Sequence, residues 1–203
     1  MTTEHDTFFR HSATGALTDL AGERLVCAPD DLLRILRLSL EKELAGAWPS
    51  VLKAAGRAYG AELAQRAQGE SAAVTAGMVT APPVETRHAP LEHLFARHGW
   101  GRLQLEATDV AAHGLVIARL DHSYFAEAFA DMRTFVDAMF AGVLQGYFEA
   151  ITGQPLGCDE IACVRHGASL CTFVVTAQCR LDAIAPWVGR ESAAALLARL
   201  KSA

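Results

Sequence analysis

The sequence predicts an α+β fold, with helices packed on an antiparallel sheet of about four strands and a long apolar helix leading into a C-terminal, cysteine-bearing hairpin. Three observations carry this expectation. Apolar residues recur at helical spacing through the first half of the chain, whereas short strand-like runs come later. The strand–helix–strand alternation of a doubly wound sheet is missing. Finally, the apolar helix breaks at Gly153-Gln154-Pro155 and gives way to two short arms joined by a Gly-containing loop.

With 203 residues, 51% of them hydrophobic, the chain is long enough for one well-buried domain. Residues 1–21 are polar and weakly patterned and read as a flexible arm, leaving 22–203 as a single domain. Glu23–Cys27 reads as a short strand before Pro29. Asp30 or Asp31 can cap a helix whose apolar stripe is Leu32, Leu33, Leu36, Leu40 and Leu44. Pro49-Ser50 restarts a second helix through Val51, Leu52, Ala55, Tyr59 and Leu63. Gly56 and Gly60, four apart on it, suit close helix packing within the monomer, and less readily a dimer contact. From Gly69 to Pro90 the composition turns to Gly, Ala, Thr and Pro, with Pro82-Pro83 excluding a helix, so a linker or surface loop is expected.

Leu91–His98 reads as a short helix closed by Gly99. Leu103 and Leu105 alternate with polar residues, and Val110–Gly114 turns the chain back into Leu115–Ala118, which makes two antiparallel strands. Ser123–Ile151 is helical, with an interruption near Asp131. Residues 158–176 form the hairpin and Glu191–Leu200 a terminal helix.

Composition narrows the function. A net charge of −5 and the absence of a basic run argue against direct nucleic-acid binding. No apolar run approaches the roughly 20 residues of a membrane span, and the first residues lack the pattern of a signal peptide. Five cysteines, an odd number, suit a reducing cytosol better than a disulfide framework, so a cytoplasmic location is expected. There is no G-x-G-x-x-G between strand and helix, no phosphate-cradling loop and no nucleophilic serine motif. The spacing of Cys158, Cys163, Cys171 and Cys179 matches no common iron–sulfur run. His88, His93 and His98 would scatter around a helix, and His122 could line a pocket mouth or simply be solvated.

Glu160, Cys163 and Cys171 are potential metal ligands on the two arms of the hairpin. Strict alternation would place Glu160 and Cys163 on opposite faces, so a bulge or bend is needed for both to reach one ion. The plainer possibility is two buried thiols acting as small hydrophobes beside a solvated Glu. His166, in the loop, could add a ligand or be an exposed turn residue. A broad apolar surface at Tyr124, Phe125, Phe129, Met132, Phe135, Met139 and Phe140, with Phe95 and Trp100 as partners, could be core or could line a pocket for a hydrophobic molecule.

Gly146-Tyr147 on the long helix, Glu160-x-x-Cys163, Gly167 and Cys171-x-Phe173 together resemble the 4-vinyl reductase domain family. That family is named after a bacteriochlorophyll-biosynthesis protein, includes the input domains of phenol- and xylene-responsive activators, and is related to vesicle-tethering TRAPP subunits. The resemblance implies an α+β domain, usually a homodimer, with a pocket for small hydrophobic molecules. It also implies zinc held by a helix Cys, a Glu and two further Cys. Glu160, Cys163 and Cys171 occupy the last three places, whereas the first falls on Asp137, a departure that still offers an oxygen ligand. So read, the protein is a binding protein rather than an enzyme. It would be a carrier or sensor for a hydrophobic, even tetrapyrrole, ligand, linked to bacteriochlorophyll biosynthesis, stiffened by structural zinc and handing its ligand or signal to a protein partner. A genuine 4-vinyl reductase of divinyl chlorophyllide-type precursors and a stand-alone sensor of aromatic effectors are the alternatives.

Overall fold

The alternating segments of the second half pair into one four-stranded antiparallel sheet with helices on both faces, in a computed structural model that describes residues 9–19, 22–75 and 89–202. Pro82-Pro83 and His88 lie outside the described residues. Ahead of this sheet, β1 (Arg10–His11), β2 (Leu17–Thr18) and β3 (Arg24–Leu25) form a small antiparallel sheet of their own. β3 falls in the strand expected before Pro29, and β1 and β2 lie within the segment expected as an arm.

Helix α1 (Asp30–Leu44) covers the expected stretch, but its N-cap position falls on Pro29, without a side-chain cap bond. Asp31 pairs instead with Arg34 at 3.3 Å. A 3-10 turn, Ala45–Ala47, leads into α2 (Trp48–Thr75), which runs on through Gly69. The first part of the expected linker is therefore helical, since Ala, Gln, Glu and Arg dominate from residue 61 onward and outweigh the single glycine. Helix α3 (Ala89–Arg97) ends before Gly99, whose φ of 69° is the left-handed geometry of a helix stop.

The main sheet starts with β4 (Arg102–Glu106), the single turn α4 (Val110–His113) and β5 (Val116–Asp121). The long apolar segment then divides as the sequence suggests, into α5 (Tyr124–Ala128) and α6 (Ala138–Thr152). The hairpin follows as β6 (Gly157–Ala162), a 3-10 turn at Val164–His166 and β7 (Cys171–Thr176). Helix α7 (Gln178–Ile184), a 3-10 turn at Ala185–Trp187 and α8 (Ala193–Ser202) complete the described chain. The strand order is β4-β5-β7-β6, so each hairpin contributes one central and one edge strand. β7, at the centre, is buried along its whole length. Its Cys171, Phe173 and Val175 join the main core, whereas Val174 meets Ile161, Leu181, Ile184, Leu196 and Leu200 on the face covered by α7 and α8.

The main core depends on how α2 meets α6. Gly56 and Gly60 lie against the backbone of Met139 and Val143, and Gly142 and Gly146 against the backbone of Lys53 and Arg57. A Cβ at any of the four would overlap a main-chain carbonyl, so the two helices touch backbone to backbone. The spacing of Gly56 and Gly60 thus serves packing inside the monomer. Ion pairs of 2.6 Å, Arg57–Glu149 within the crossing and Lys53–Asp159 from α2 to β6, flank it.

Replacing Gly60 or Gly142 by Ala should lower stability by about 1–3 kcal/mol, although Ala in a helix interior would otherwise gain about 1 kcal/mol. Gly46→Ala, where an added methyl meets nothing within 4 Å, should stay within about 0.5 kcal/mol of the parent. Urea midpoints read both; equal midpoints for all three variants would refute the close crossing.

Candidate functional site

Asp137 occupies the N-cap position of α6 and is wholly buried. Its Oδ1 accepts a 2.5 Å hydrogen bond from Ser123 Oγ, and its backbone N–H donates to Glu160 Oε2 at 3.1 Å. On β6 the pairing steps from Glu160 opposite Phe173 to Ala162 opposite Thr172. This bulge absorbs the odd residue, so Glu160 and Cys163 reach the same side of the sheet, as their spacing requires. Cys171 opens β7 opposite Leu120. The result is one cluster, in which single ligand atoms of Asp137, Glu160, Cys163 and Cys171 all lie within 4.8 Å of one another.

Two features fit this cluster to a metal ion. Cys163 Sγ and Cys171 Sγ are 3.8 Å apart, close to the ~3.8 Å separating two thiolates that each sit ~2.3 Å from a tetrahedral ion. Asp137 Oδ2 and Glu160 Oε1 are buried without a hydrogen-bond partner, an arrangement that costs free energy unless a cation or proton answers it. Four acidic groups in so small a volume cannot all ionise unaided. Burial pushes the Asp137 carboxyl up to about 6, against the hydrogen bonds from Cys171 and Ser123. Burial, with the negative charge of Asp137 and Cys163, takes Glu160 up to about 11. Cys163 accepts the thiol proton of Cys171 and is held down at about 5 despite its burial, whereas Cys171, the donor, is pushed up. A divalent cation would replace the retained protons.

The other candidate ligands lie elsewhere. Cys158 is buried in the core and Cys179 is exposed. His166 stacks on Phe135 with ring centroids 5.2 Å apart. His122 is exposed and sits near Asp121 and Glu127.

Beside the cluster, α1, α2, α5 and α6 enclose an apolar cavity of about 160 Å³. Of the nine residues the sequence suggests for a pocket, Trp100, Tyr124, Phe125, Phe129, Met139 and Phe140 line it. Phe95 stands behind, its ring centroid 5.1 Å from those of Trp100 and Phe140. Met132 packs at the margin of the core, and Phe135 lines a separate groove with His166. The remaining wall was not expected: Leu33, Leu36, Arg37 and Leu40 of α1 and Leu52 of α2. A signal for it exists in α1, whose apolar residues (Leu32, Leu33, Ile35, Leu36, Leu38 and Leu40) cover too wide an arc for one buried stripe.

Residues 117–177, from β5 through the hairpin, match the family model of the 4-vinyl reductase domain, in line with the family resemblance of the sequence. Among solved structures, the phenol-responsive sensory domain of the transcription activator PoxR, determined with phenol, is similar with a TM-score of 0.70 and 16% identity, over 91% of this chain and 92% of that one. A vinyl-4-reductase family protein from Methanocaldococcus jannaschii is similar with a TM-score of 0.52 and 16% identity, over 75% and 83%. At these identities the likeness is one of fold. No curated protein matches the chain. None of the described helices is long and apolar enough to cross a membrane.

Because its carboxyl is raised from an ordinary value near 4 to about 6, Asp137 keeps a proton in the folded state that the unfolded chain has already released. In chelator-treated protein, stability relative to Asp137→Asn should therefore fall as pH rises from about 4 to about 6, and level off above. Melting curves of both proteins across that interval check this. A relative stability that rises with pH would mean that Asp137 ionises freely.

Proposed function

We propose that this protein is a ligand-binding sensor domain for a small, single-ring hydrophobic molecule, with a structural zinc centre at the base of its pocket. The cavity carries this conclusion. At about 160 Å³ it is close to the roughly 150 Å³ apolar cavity that binds benzene in an engineered protein. Its walls come from aromatic, Leu and Met side chains, the composition of sites that recognise apolar molecules through shape. The similarity in fold to a phenol-responsive sensory domain supports the same class of ligand. A tetrapyrrole, whether carried in bacteriochlorophyll biosynthesis or reduced at a vinyl group, is several times larger than this space and would require α1 to leave.

For the metal, Asp137 and Glu160 would each supply a carboxylate oxygen, and Cys163 and Cys171 their thiolates. Bound there, zinc supplies cross-linking rather than reactivity, since a shell of four protein ligands leaves no open position. These residues tie the start of α6 to both arms of the hairpin. A homodimer is part of the proposal: Leu32, Ile35 and Leu38 of α1 are exposed, an apolar surface suited to a second copy.

Native mass spectrometry of untagged protein, purified without added metal or chelator, should find one zinc per chain in a dimer. Asp137→Ala should lose most of that zinc and melt at a lower temperature; unchanged metal content would remove Asp137 from the site. Phenol or toluene should raise the melting temperature, whereas a porphyrin should not. Stabilisation by porphyrin alone would overturn the single-ring assignment.

A further inference from the structure

On the basis of the cavity assignment above, we propose that Arg37 selects the ligand by donating a hydrogen bond to a neutral oxygen, a hydroxyl or carbonyl group, and that the site disfavours carboxylates. Arg37 is the one charged residue lining the cavity and is only 3% exposed. Its guanidinium lies over the Phe129 ring, 5.2 Å from the centroid. Nη1 donates to Glu41 at 3.0 Å and Nη2 to Asp131 at 2.5 Å, which fixes the orientation of the planar group. Nε is buried and has no acceptor among the described residues. A guanidinium can only donate, so this position is complemented by an oxygen and not by more hydrocarbon.

Charge sets the type of oxygen. Two carboxylates already face the single guanidinium, both from half-exposed side chains. A ligand carboxylate would be a third anion, brought out of water into an apolar space, and desolvation and repulsion would both oppose it. A phenol-type hydroxyl or an aldehyde carbonyl accepts the same hydrogen bond without either penalty. The apolar wall of aromatic and Met side chains holds the ring, and Arg37 fixes which edge carries the oxygen.

Calorimetric titration near pH 7 compares ligands matched in shape: phenol with toluene, and benzaldehyde with benzoate. The wild-type protein should favour phenol over toluene by about 10- to 100-fold, the range of a hydrogen bond to a charged donor, and benzaldehyde over benzoate. In Arg37→Met the first preference should collapse toward unity while toluene binding persists. Should that variant fail to fold, Asp131→Asn keeps the buried guanidinium, removes one anion, and should improve benzoate relative to benzaldehyde. Equal binding of phenol and toluene by the wild type, a phenol preference that survives Arg37→Met, or tighter binding of benzoate than benzaldehyde would overturn the role of Arg37 while leaving the cavity assignment intact. If neither toluene nor phenol binds the wild-type protein, the cavity assignment fails and this inference with it.

Discussion

Where α2 crosses α6, four glycines stand in place of side chains, and main chain lies against main chain. Helices in ordinary contact are held 8–10 Å apart by their side chains, with room for adjustment as those side chains change rotamer. Here that freedom is removed, and α6 has one seat on α2. Everything functional is referred to that seat. The start of α6 carries Asp137 to the sheet, and its next turn carries Met139 and Phe140 to the cavity. From α2, Leu52 closes the cavity on the other side.

The buried cluster adds a second constraint, electrostatic rather than steric. Carboxylates and thiols are among the groups least tolerated in an apolar interior, and in this chain they are gathered at one point, with two carboxylate oxygens unanswered. Such an arrangement departs from the local consistency that favours folding alone, and departures of this kind mark functional sites. The bulge in β6 belongs to the same account. It gives up one regular pairing position to bring Glu160 and Cys163 to a common face.

Much of this was readable in order along the chain, because it depends on neighbours in sequence. The break before α6, the two hairpins and the need for a bulge between Glu160 and Cys163 all follow from spacing and turn residues. The departures have physical causes. Helix α7 is seven residues long, less than two full turns of the period that identifies a helix, and no element was expected there. Met132 and Phe135 lie between α5 and α6, where helical phase no longer says which way a side chain points, so extending the stripe through them misplaced them. The contribution of α1 to the cavity, and Arg37 above all, depends on contacts with Phe129 and Asp131 more than 90 residues away. No local pattern encodes contacts of that range. The α2–α6 crossing was half legible: Gly56 and Gly60 suggested close packing, but nothing in the sequence said against what.

The first turn of α6 belongs to two sites at once. Asp137 faces the cluster, and Met139 and Phe140, two and three residues on, face the cavity. A ligand that shifts or stiffens that turn changes the affinity at the cluster, and thermodynamic reciprocity then requires an ion at the cluster to change the affinity of the cavity by the same factor. With α6 already held against α2, little slack is left in the helix to absorb such a shift. Occupancy at either end is thereby made a property of the pair, and the few ångströms between ion and ring become the shortest path by which this molecule can report what it holds.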